Sequence, residues 1–374
     1  MGQWSGTLED VVVNAGFWRG RSVFITGHTG FKGSWLALWL HRAGARVHGY
    51  ALAPPTTPNL FTVADVAASM ASHTLADVRD AAALREALGA AAPELVFHLA
   101  AQPLVRHSYA EPVETFEVNV LGTVQLFEAV RGCPSVRAVI NVTTDKCYEN
   151  HGDGRAYREG DPLGGHDPYA ASKACSELVT ASYRSAFLAA AGVAVASARA
   201  GNVIGGGDWA ADRLVPDVLR ASDAGRPVPI RNPEATRPWQ HVLDPLSGYL
   251  LLAERMLQSR RDARLEALAG AWNFGPGSED ARPVSWLLDH LTAQLPGSAW
   301  QQAAGTHPHE APQLQLDSAK ARTELGWQPR WRLGQALDHT VEWHQAWRRG
   351  AAMRGVCLAQ IAAHEAAASQ RALA

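Results

Sequence analysis

The chain has 374 residues, of which 47% are hydrophobic and 19% charged, and its formal net charge is -2. This length fits two domains, since single domains usually run to roughly 100–200 residues, and the composition is that of a globular protein rather than an extensively disordered one. The near-neutral charge gives no reason to expect nucleic acid or another polyanion as a partner.

Short apolar runs alternate with segments of helical periodicity through the first half of the chain. The predicted strands are RSVFIT, ARVHGYA, ELVFHLA, VRAVINVTT and VAVASARA, with a further candidate at SHTLA. Such alternation implies crossover connections and a parallel sheet that is covered on both faces. We therefore predict a doubly wound α/β fold, a Rossmann domain over residues 1–199, with its first helix near Phe31 and a long helix near Pro168.

The composition changes after Ala200 to irregular segments rich in Gly, Pro, Arg and Trp. Segments of this kind are typical of binding loops held on a scaffold. We assign residues 200–239 and 276–350 to a smaller substrate-binding lobe, and a helix and strand within about 240–275 to the main sheet. Residues 351–374, which are rich in alanine, are expected to form a surface helix or tail.

The four cysteines, Cys133, Cys147, Cys175 and Cys357, are far apart and form no CxxC pair. This spacing favours reduced thiols over a disulfide framework or a zinc site, and we expect no bound metal. The N-terminus lacks a secretory pattern, and no apolar run approaches the roughly 18 residues of a membrane span. We therefore expect a cytoplasmic protein without a membrane partner.

The stretch VFITGHTGFKGSW places Gly27, Gly30 and Gly33 between a predicted strand and a predicted helix. This order lets the backbone approach a pyrophosphate, which is bound by the amides at the helix N-terminus. The spacing is close to the dinucleotide fingerprint without matching the commoner GxGxxG. A tight turn that binds nothing remains the alternative.

Two later strand ends carry small or acidic residues that suit a nucleotide. Asp77 can accept a hydrogen bond from an adenine amino group while Val78 packs on the ring, although an Asp that caps the next helix gives the same pattern. HLAAQ, residues 98–102, places two alanines where a cofactor can lie against the backbone, as a ligand-free turn also would.

Tyr169 and Lys173 lie four residues apart on the predicted long helix and so share a face. A tyrosine base needs its pKa lowered from about 10 towards 7, and one nearby cation shifts a pKa by about 1–3 units. A lysine and an oxidised nicotinamide together could provide that shift. Alone, the YxxxK spacing is as well explained by a surface pair.

The strand VRAVINVTT is followed by Thr144, Asp145 and Lys146, at the edge where open α/β sheets bind ligands. Thr144 can hydrogen-bond the same substrate oxygen as Tyr169. Asp145, if burial keeps it protonated, can donate to a leaving hydroxyl, and Lys146 can act as acid, base or charge stabiliser. A turn cap explains any one of these residues but not the set.

Together these motifs resemble the extended short-chain dehydrogenase/reductases. Further segments resemble the nucleotide-sugar 4,6-dehydratases that act on CDP-glucose, within the dehydratase and epimerase group: TGHTGFKGSW, AAQPLVR, TDKCYEN, RAGNVIGGGDWA, RNPEATRPWQHV, WNFGPGSED and HPHEAPQLQLD. The resemblance runs from about Trp18 to Trp347. It implies a lyase with retained NAD that works in deoxysugar synthesis for cell-surface polysaccharide such as O-antigen.

The resemblance also implies roles for individual residues. Tyr169 takes the proton of the glucose 4-hydroxyl as carbon 4 gives its hydride to the cofactor, Thr144 orients that oxygen, and Lys173 binds the nicotinamide ribose and lowers the pKa of the tyrosine. Water then leaves from carbon 6, and the hydride returns there. The implied cofactor contacts are Gly27, Thr29, Gly30, Phe31, Lys32, Gly33, Asp77, Val78, Leu99, Ala100, Ala101, Asn119, Tyr169 and Lys173.

The implied substrate contacts are Gln102, Arg199, Asn202, Arg231 and Arg237, because arginine suits a diphosphate. Related dehydratases follow the threonine with Asp and Glu, whereas this chain has Asp145 and Lys146. Asp145 keeps its expected role as acid, and the group that removes the carbon-5 proton is left open. The second strand offers no acid for the ribose near Ala53, so NAD is expected from the resemblance while NADP stays open.

Three alternatives follow from the same residues. The chain is a 4,6-dehydratase, another nucleotide-sugar enzyme such as an epimerase, or a cofactor-binding regulator without catalysis. Asp145 favours a dehydratase, since an epimerase needs no acid at a leaving hydroxyl, and the complete set of Thr144, Tyr169 and Lys173 argues against a regulator. The resemblance also implies a homodimer or homotetramer with helices in 112–130 and 168–190 at the contact.

Overall fold

A computed structural model describes residues 14–259, 263–295, 297–303 and 314–372 of the chain. The central sheet has seven parallel strands: β1 Ser22–Thr26, β2 Arg46–Ala51, β3 Ser72–Leu75, β4 Leu95–His98, β5 Ala138–Val142, β6 Ala194–Ala200 and β7 Ala271–Phe274. Every run predicted as a strand lies in this sheet. The doubly wound α/β prediction is therefore confirmed.

The strands lie in the order β7-β6-β5-β4-β1-β2-β3, so the direction of winding reverses between β1 and β4. In open α/β sheets this reversal opens a crevice at the carboxyl ends of the strands, and ligands bind there. The turn that contains Gly27 follows β1, and Leu99 follows β4. The topology thus brings the glycine turn and the HLAAQ segment to one crevice.

Alternate residues of each strand face opposite layers of helices, as a buried parallel sheet requires. Val23 and Ile25 of β1 pack in one hydrophobic cluster with Trp35 and Trp39, whereas Phe24 packs in the cluster on the other face with Leu126. The helices are Ala15–Trp18, Phe31–Arg42, Leu60–Val63, Ala81–Ala91, Val105–Ala110, Pro112–Phe116, Gly122–Arg131, Pro168–Tyr183, Ala189–Ala191, Leu214–Asp223, Leu243–Gln258, Ala263–Leu268, Val284–Gln294, Leu333–Arg348 and Met353–Ala372.

The helix Pro168–Tyr183, called the Pro168 helix below, begins where its sequence indicates. Pro168 occupies the first turn, where its missing N–H costs nothing, and Asp167 caps the helix by accepting a hydrogen bond from the Ala170 amide. This start fixes Tyr169 in the first turn. The side chains of Tyr169 and Lys173 therefore lie on one helix face.

A separate hydrophobic cluster lies among helices and short strands after β6. It contains Val215, Leu219, Val228, Leu287 and Leu337, which come from the two ranges assigned to the lobe. The division into domains stays a prediction, which this cluster supports. The N-terminal 13 residues of the first domain, and the part of HPHEAPQLQLD before Leu314, lie outside the described residues.

A C-terminal helix, Met353–Ala372, spans most of the range expected to form a surface helix or tail, and one of its faces is buried. Its residues Cys357 and Ile361 are fully buried in the same cluster as Trp39. His364, also fully buried, forms a 2.9 Å hydrogen bond with Asp244 of the helix Leu243–Gln258. The segment is helical, and the inward face that cysteine, isoleucine and histidine form among the alanines was not expected from the sequence.

Candidate active site

A cavity of about 1360 Å³ joins the crevice of the sheet to the lobe. Its wall includes the glycine turn, the ends of β4 and β5, the Pro168 helix and segments of the lobe. Most of the residues singled out in the sequence line it: Gly27, Thr29, Gly30, Phe31, Lys32, Gly33, Asp77, Val78, Leu99, Ala100, Ala101, Thr144, Asp145, Lys146, Tyr169, Lys173, Asn202, Arg231 and Arg237.

Arg199 does not line this cavity. Its Nε and Nη2 donate to the carboxylate of Glu177 at 2.9 and 2.8 Å, and its Nη1 donates to the Tyr148 hydroxyl at 2.8 Å. The Arg199 side chain is 4% exposed. The expectation that Arg199 binds the substrate diphosphate was wrong, because its guanidinium is fully engaged in a buried ion pair.

Gln102 and Asn119 are also outside the wall of the cavity. The Gln102 amide donates to Asn119 Oδ1 at 2.9 Å, and Asn119 Nδ2 donates back to the Gln102 carbonyl and to Ser172 Oγ. The Gln102 side chain donates to Thr115. The expectation that Gln102 contacts the substrate directly was therefore wrong, and so was the expectation that Asn119 contacts the cofactor. Together the two residues connect the segment after β4 to the Pro168 helix by hydrogen bonds.

The three positions of the turn are occupied by glycine for different structural reasons. Gly27 has a φ of +79°, and a Cβ there would lie 2.7 Å from the Ala100 amide nitrogen. A Cβ at Gly33 would overlap the Gly27 carbonyl. At Gly30 the closest protein atom to a Cβ would be the Gly27 carbonyl oxygen at 3.4 Å, an ordinary contact. Gly27 and Gly33 are thus required by the turn itself, whereas Gly30 presents bare backbone to the cavity.

The turn has the features that a dinucleotide site needs. Gly30 is the N-cap of the helix Phe31–Arg42, and it has no side chain with which to cap the helix. Amides at such a helix start bind phosphate, and the helix dipole favours negative charge there. The residues present therefore fit a pyrophosphate-containing cofactor.

Asp77, expected at the adenine, lines the cavity but already has a partner. Its carboxylate accepts hydrogen bonds from the Arg79 amide at 2.8 Å and from the Arg79 guanidinium at 2.7 Å. These bonds lower the pKa of Asp77. The neighbouring helix is capped by Asp80 and not by Asp77. The alternative explanation of Asp77 as a helix cap was therefore wrong.

Tyr169, Thr144 and Lys173 meet at the end of β5. Burial raises the pKa of Tyr169 to about 12, while a hydrogen bond with Thr144 and the charge of Arg213 oppose this rise. Lys173 Nζ donates to the Val142 carbonyl at 3.3 Å, and burial lowers the pKa of Lys173 to about 8. Burial outweighs the nearby positive charge, so the pKa of Tyr169 is raised and not lowered as expected.

Asp145 is 1% exposed and has two unlike carboxylate oxygens. Oδ1 accepts from Thr144 Oγ1 at 3.0 Å and from Lys146 Nζ at 3.3 Å. Oδ2 is buried without a hydrogen-bond partner in the described part of the chain. Lys146 also donates to Asn202 Oδ1 at 3.3 Å. An orphaned buried oxygen of this kind costs about 1–3 kcal/mol and suits a site that a ligand hydroxyl completes.

One cation at this site, Arg213, was not found from the sequence, and the position of a second, Lys32, among other cations was not expected. Arg213 lines the cavity and pairs with Asp208 at 2.9 Å. Burial, together with the charges of Arg213 and Lys173, lowers the pKa of Lys32 to about 7. Lys32 was expected only as part of the turn, and its place in the second position of a helix that begins at the cavity was the available signal.

Among the described residues, no group of three or more His, Cys, Asp or Glu side chains is arranged to hold a metal ion. Within the same residues, no helix combines the length and apolar character needed to cross a membrane. All four cysteines are free thiols, as expected.

Comparison with known proteins gives consistent matches. Residues 24–271 match the family model described as GDP-mannose 4,6 dehydratase. The chain is 49% identical over 345 residues to CDP-glucose 4,6-dehydratase of Salmonella typhimurium strain LT2, which covers 91% of this chain and 94% of that protein.

Two solved structures share the fold and about a quarter of the sequence. DesIV, a dTDP-glucose 4,6-dehydratase from Streptomyces venezuelae with NAD and TYD bound, is 25% identical, with a TM-score of 0.72 over 88% of this chain and 98% of that chain. MoeE5 in complex with UDP-glucose and NAD is 26% identical, with a TM-score of 0.71 over 87% of this chain and 99% of that chain.

Proposed function

The chain belongs to the family that the GDP-mannose 4,6-dehydratase model describes, and from this membership we propose that it is a CDP-glucose 4,6-dehydratase. The reaction is the conversion of CDP-D-glucose to CDP-4-keto-6-deoxy-D-glucose and water. The observation that carries the proposal is the meeting of Thr144, Asp145 and Tyr169 at one cavity beside the glycine turn.

The cofactor that these residues would hold is NAD, which would supply a hydride acceptor for carbon 4 and a hydride donor for carbon 6. Two relatives of this fold, at 25% and 26% identity, were solved with NAD. In our proposal Gly27 to Gly33 bind its pyrophosphate, Asp77 and Val78 contact its adenine, and Lys173 binds its nicotinamide ribose. In support of these contacts, the same residues line the cavity.

The chain's own residues carry out the proton steps in this proposal. Thr144 holds the 4-hydroxyl oxygen, and the Tyr169 phenolate removes its proton. Asp145 protonates the hydroxyl that leaves carbon 6, and its unpartnered Oδ2 is the oxygen available for that bond. Arg231, Arg237 and Asn202 line the lobe side of the cavity and are proposed substrate contacts, with Arg213 added to them from the structure.

The direct test is incubation of the purified protein with CDP-, dTDP-, GDP- and UDP-glucose. We expect keto-sugar formation and the loss of one water from CDP-glucose alone, read by mass spectrometry. Turnover of another nucleotide sugar instead would overturn the proposed substrate. Interconversion of glucose and galactose without loss of water would identify an epimerase, and cofactor binding without turnover of any sugar would identify a regulator.

The assembly and its location stay predictions. We propose a homodimer, or a homotetramer built from it, through the helices within 112–130 and 168–190. The exposed apolar side chains of Val113, Leu121 and Leu178, which are 70%, 54% and 59% exposed, support this surface. Light scattering should give a dimeric mass that Leu178→Glu reduces to the monomer. A cytoplasmic location stays an expectation from the sequence pattern, and a place in O-antigen synthesis stays an expectation from the resemblance.

A further inference from the structure

Three side chains at four-residue intervals on the Pro168 helix face the end of β5. Tyr169 hydrogen-bonds Thr144, Lys173 donates to the Val142 carbonyl, and Glu177 accepts from Thr143 Oγ1 at 2.5 Å. One helix face therefore holds three consecutive residues of the strand end. Of these three side chains, Glu177 has no part in the proposed reaction.

The Glu177 carboxylate has a full set of hydrogen-bond donors. Oε1 accepts from Thr143 Oγ1 and from Arg199 Nε, while Oε2 accepts from Ser197 Oγ at 2.6 Å and from Arg199 Nη2. The Glu177 side chain is 3% exposed, and these donors lower its pKa below the ordinary value although burial opposes this. Glu177 is therefore a fixed negative charge inside the domain.

A buried ion pair of this kind needs a reason other than stability. Desolvation of both ions offsets much of their attraction, and well-packed apolar residues in the same space are often as stable or more so. The position of Glu177, one helical turn beyond Lys173, provides such a reason. Side chains four residues apart on a helix are neighbours, with about 5–6 Å between their Cβ atoms.

The groups around Lys173 come from four elements, and Glu177 is the charge among them that favours an ammonium. Burial keeps the thiol of Cys147, after β5, neutral by raising its pKa, and it keeps His98 of β4 neutral by lowering its pKa to about 3. Lys32, from the helix after the glycine turn, is a second cation. Arg199, from β6, pairs with Glu177, and Tyr169 is a neutral phenol.

We propose that Glu177 is a positioning residue, which holds Thr143 at the end of β5 and provides the negative charge that keeps Lys173 an ammonium beside Tyr169. Glu177 acts through these neighbours and touches neither sugar nor cofactor. The inference rests on the proposed dehydratase function for its kinetic consequence. Its electrostatic part concerns the protein alone.

The electrostatic part can be measured without turnover. The chain has four lysines, Lys32, Lys146, Lys173 and Lys320, so nuclear magnetic resonance of isotope-labelled lysine side chains gives four Nζ signals, and Lys173→Arg assigns one. We expect Glu177→Gln to lower the pKa of Lys173 by about 1–3 units, the effect of losing one close opposite charge. Glu177→Asp should keep most of the wild-type value.

Arg199→Gln is the matched control, because it breaks the same ion pair but leaves the negative charge. It should move the pKa of Lys173 upward, opposite to Glu177→Gln. Shifts in the same direction in both variants would mean general loosening and would overturn the inference. If Glu177→Gln does not fold, Arg199→Gln alone decides the test. A Lys173 pKa that does not rise in Arg199→Gln would then overturn the inference about Glu177.

The kinetic consequence should have the same direction as the change in the pKa of Lys173. Loss of the Lys173 proton at high pH removes the charge that stabilises the Tyr169 phenolate, so Glu177→Gln should move the alkaline limb of kcat down by about 1–3 units. KM for CDP-glucose should stay near the wild-type value, and Glu177→Asp should restore the profile. If the wild-type enzyme does not act on CDP-glucose, the proposed function fails while the lysine titration still decides the role of Glu177. An active wild type with an unchanged profile in Glu177→Gln would overturn the role alone.

Discussion

Lys146 holds one carboxylate oxygen of Asp145 at 3.3 Å and leaves the other, Oδ2, buried and unpartnered in the described residues. The ammonium fixes the orientation of the carboxyl group, because Thr144 bonds the same oxygen. A fixed group with one open oxygen suits proton transfer to a hydroxyl.

Asp145→Asn should separate oxidation at carbon 4 from the loss of water. The amide keeps the shape of the side chain but cannot supply the proton, so formation of the dehydrated sugar should fall by about 10²–10⁴-fold. Reduction of the bound cofactor on addition of CDP-glucose should persist, as absorbance would show. Wild-type rates of dehydration in this variant would remove Asp145 from the mechanism.

Tyr169→Phe should stop the reaction before either product forms. The phenyl ring keeps the packing but has no proton acceptor, and a decrease in turnover of at least about 10²–10⁴-fold is expected. Cofactor should remain bound at the wild-type ratio, measured on the purified protein, because the glycine turn is untouched. Normal activity in Tyr169→Phe would rule out its role as base.

The sequence predicted the sheet well because its strands are buried on both faces and therefore form continuous apolar runs. It predicted the wall of the cavity for a related reason, since the strand ends of an α/β sheet meet at one edge. Arg199 shows the limit of this reasoning. Its position near the carboxyl end of β6 resembled that of a binding residue. Its partner, Glu177, lies on a helix 22 residues away in the sequence, and only the packing of that helix on β6 decides the pairing.

Lys32→Met should stabilise the protein at neutral pH. The ordinary pKa of lysine, 10.5, falls to about 7 for Lys32, so the unfolded chain binds more protons than the folded one between these values. Stability therefore rises with pH in this window, and Lys32 lowers it most at and below pH 7. We expect a gain of up to about 4–5 kcal/mol near pH 7, since each pKa unit between about 7 and 10.5 is worth about 1.36 kcal/mol, and this gain shrinks as the pH approaches 10.5.

Thermal unfolding at several pH values checks the Lys32 prediction. Lys146→Met is the control, since Lys146 is hydrogen-bonded to Asp145 and Asn202 and its removal leaves the buried Asp145 without its ammonium partner. The control should be neutral or destabilising. A destabilised Lys32→Met variant at neutral pH would mean that the Lys32 ammonium is well paired, contrary to its surroundings.

Alanine substitutions at Gly30 and Gly33 should have different effects, one on cofactor affinity and the other on stability. Gly30→Ala adds a methyl group with only an ordinary contact to the Gly27 carbonyl, so the free energy of unfolding should change by no more than about 0.5 kcal/mol. The methyl group enters the space assigned to the pyrophosphate, and NAD affinity should fall about ten-fold or more.

Gly33→Ala overlaps the Gly27 carbonyl and should cost about 1–3 kcal/mol or more in stability. Calorimetric titration with NAD and thermal unfolding of both variants measure the two effects. Unchanged NAD affinity in a folded Gly30→Ala protein would place the pyrophosphate elsewhere, because no protein atom competes for that space.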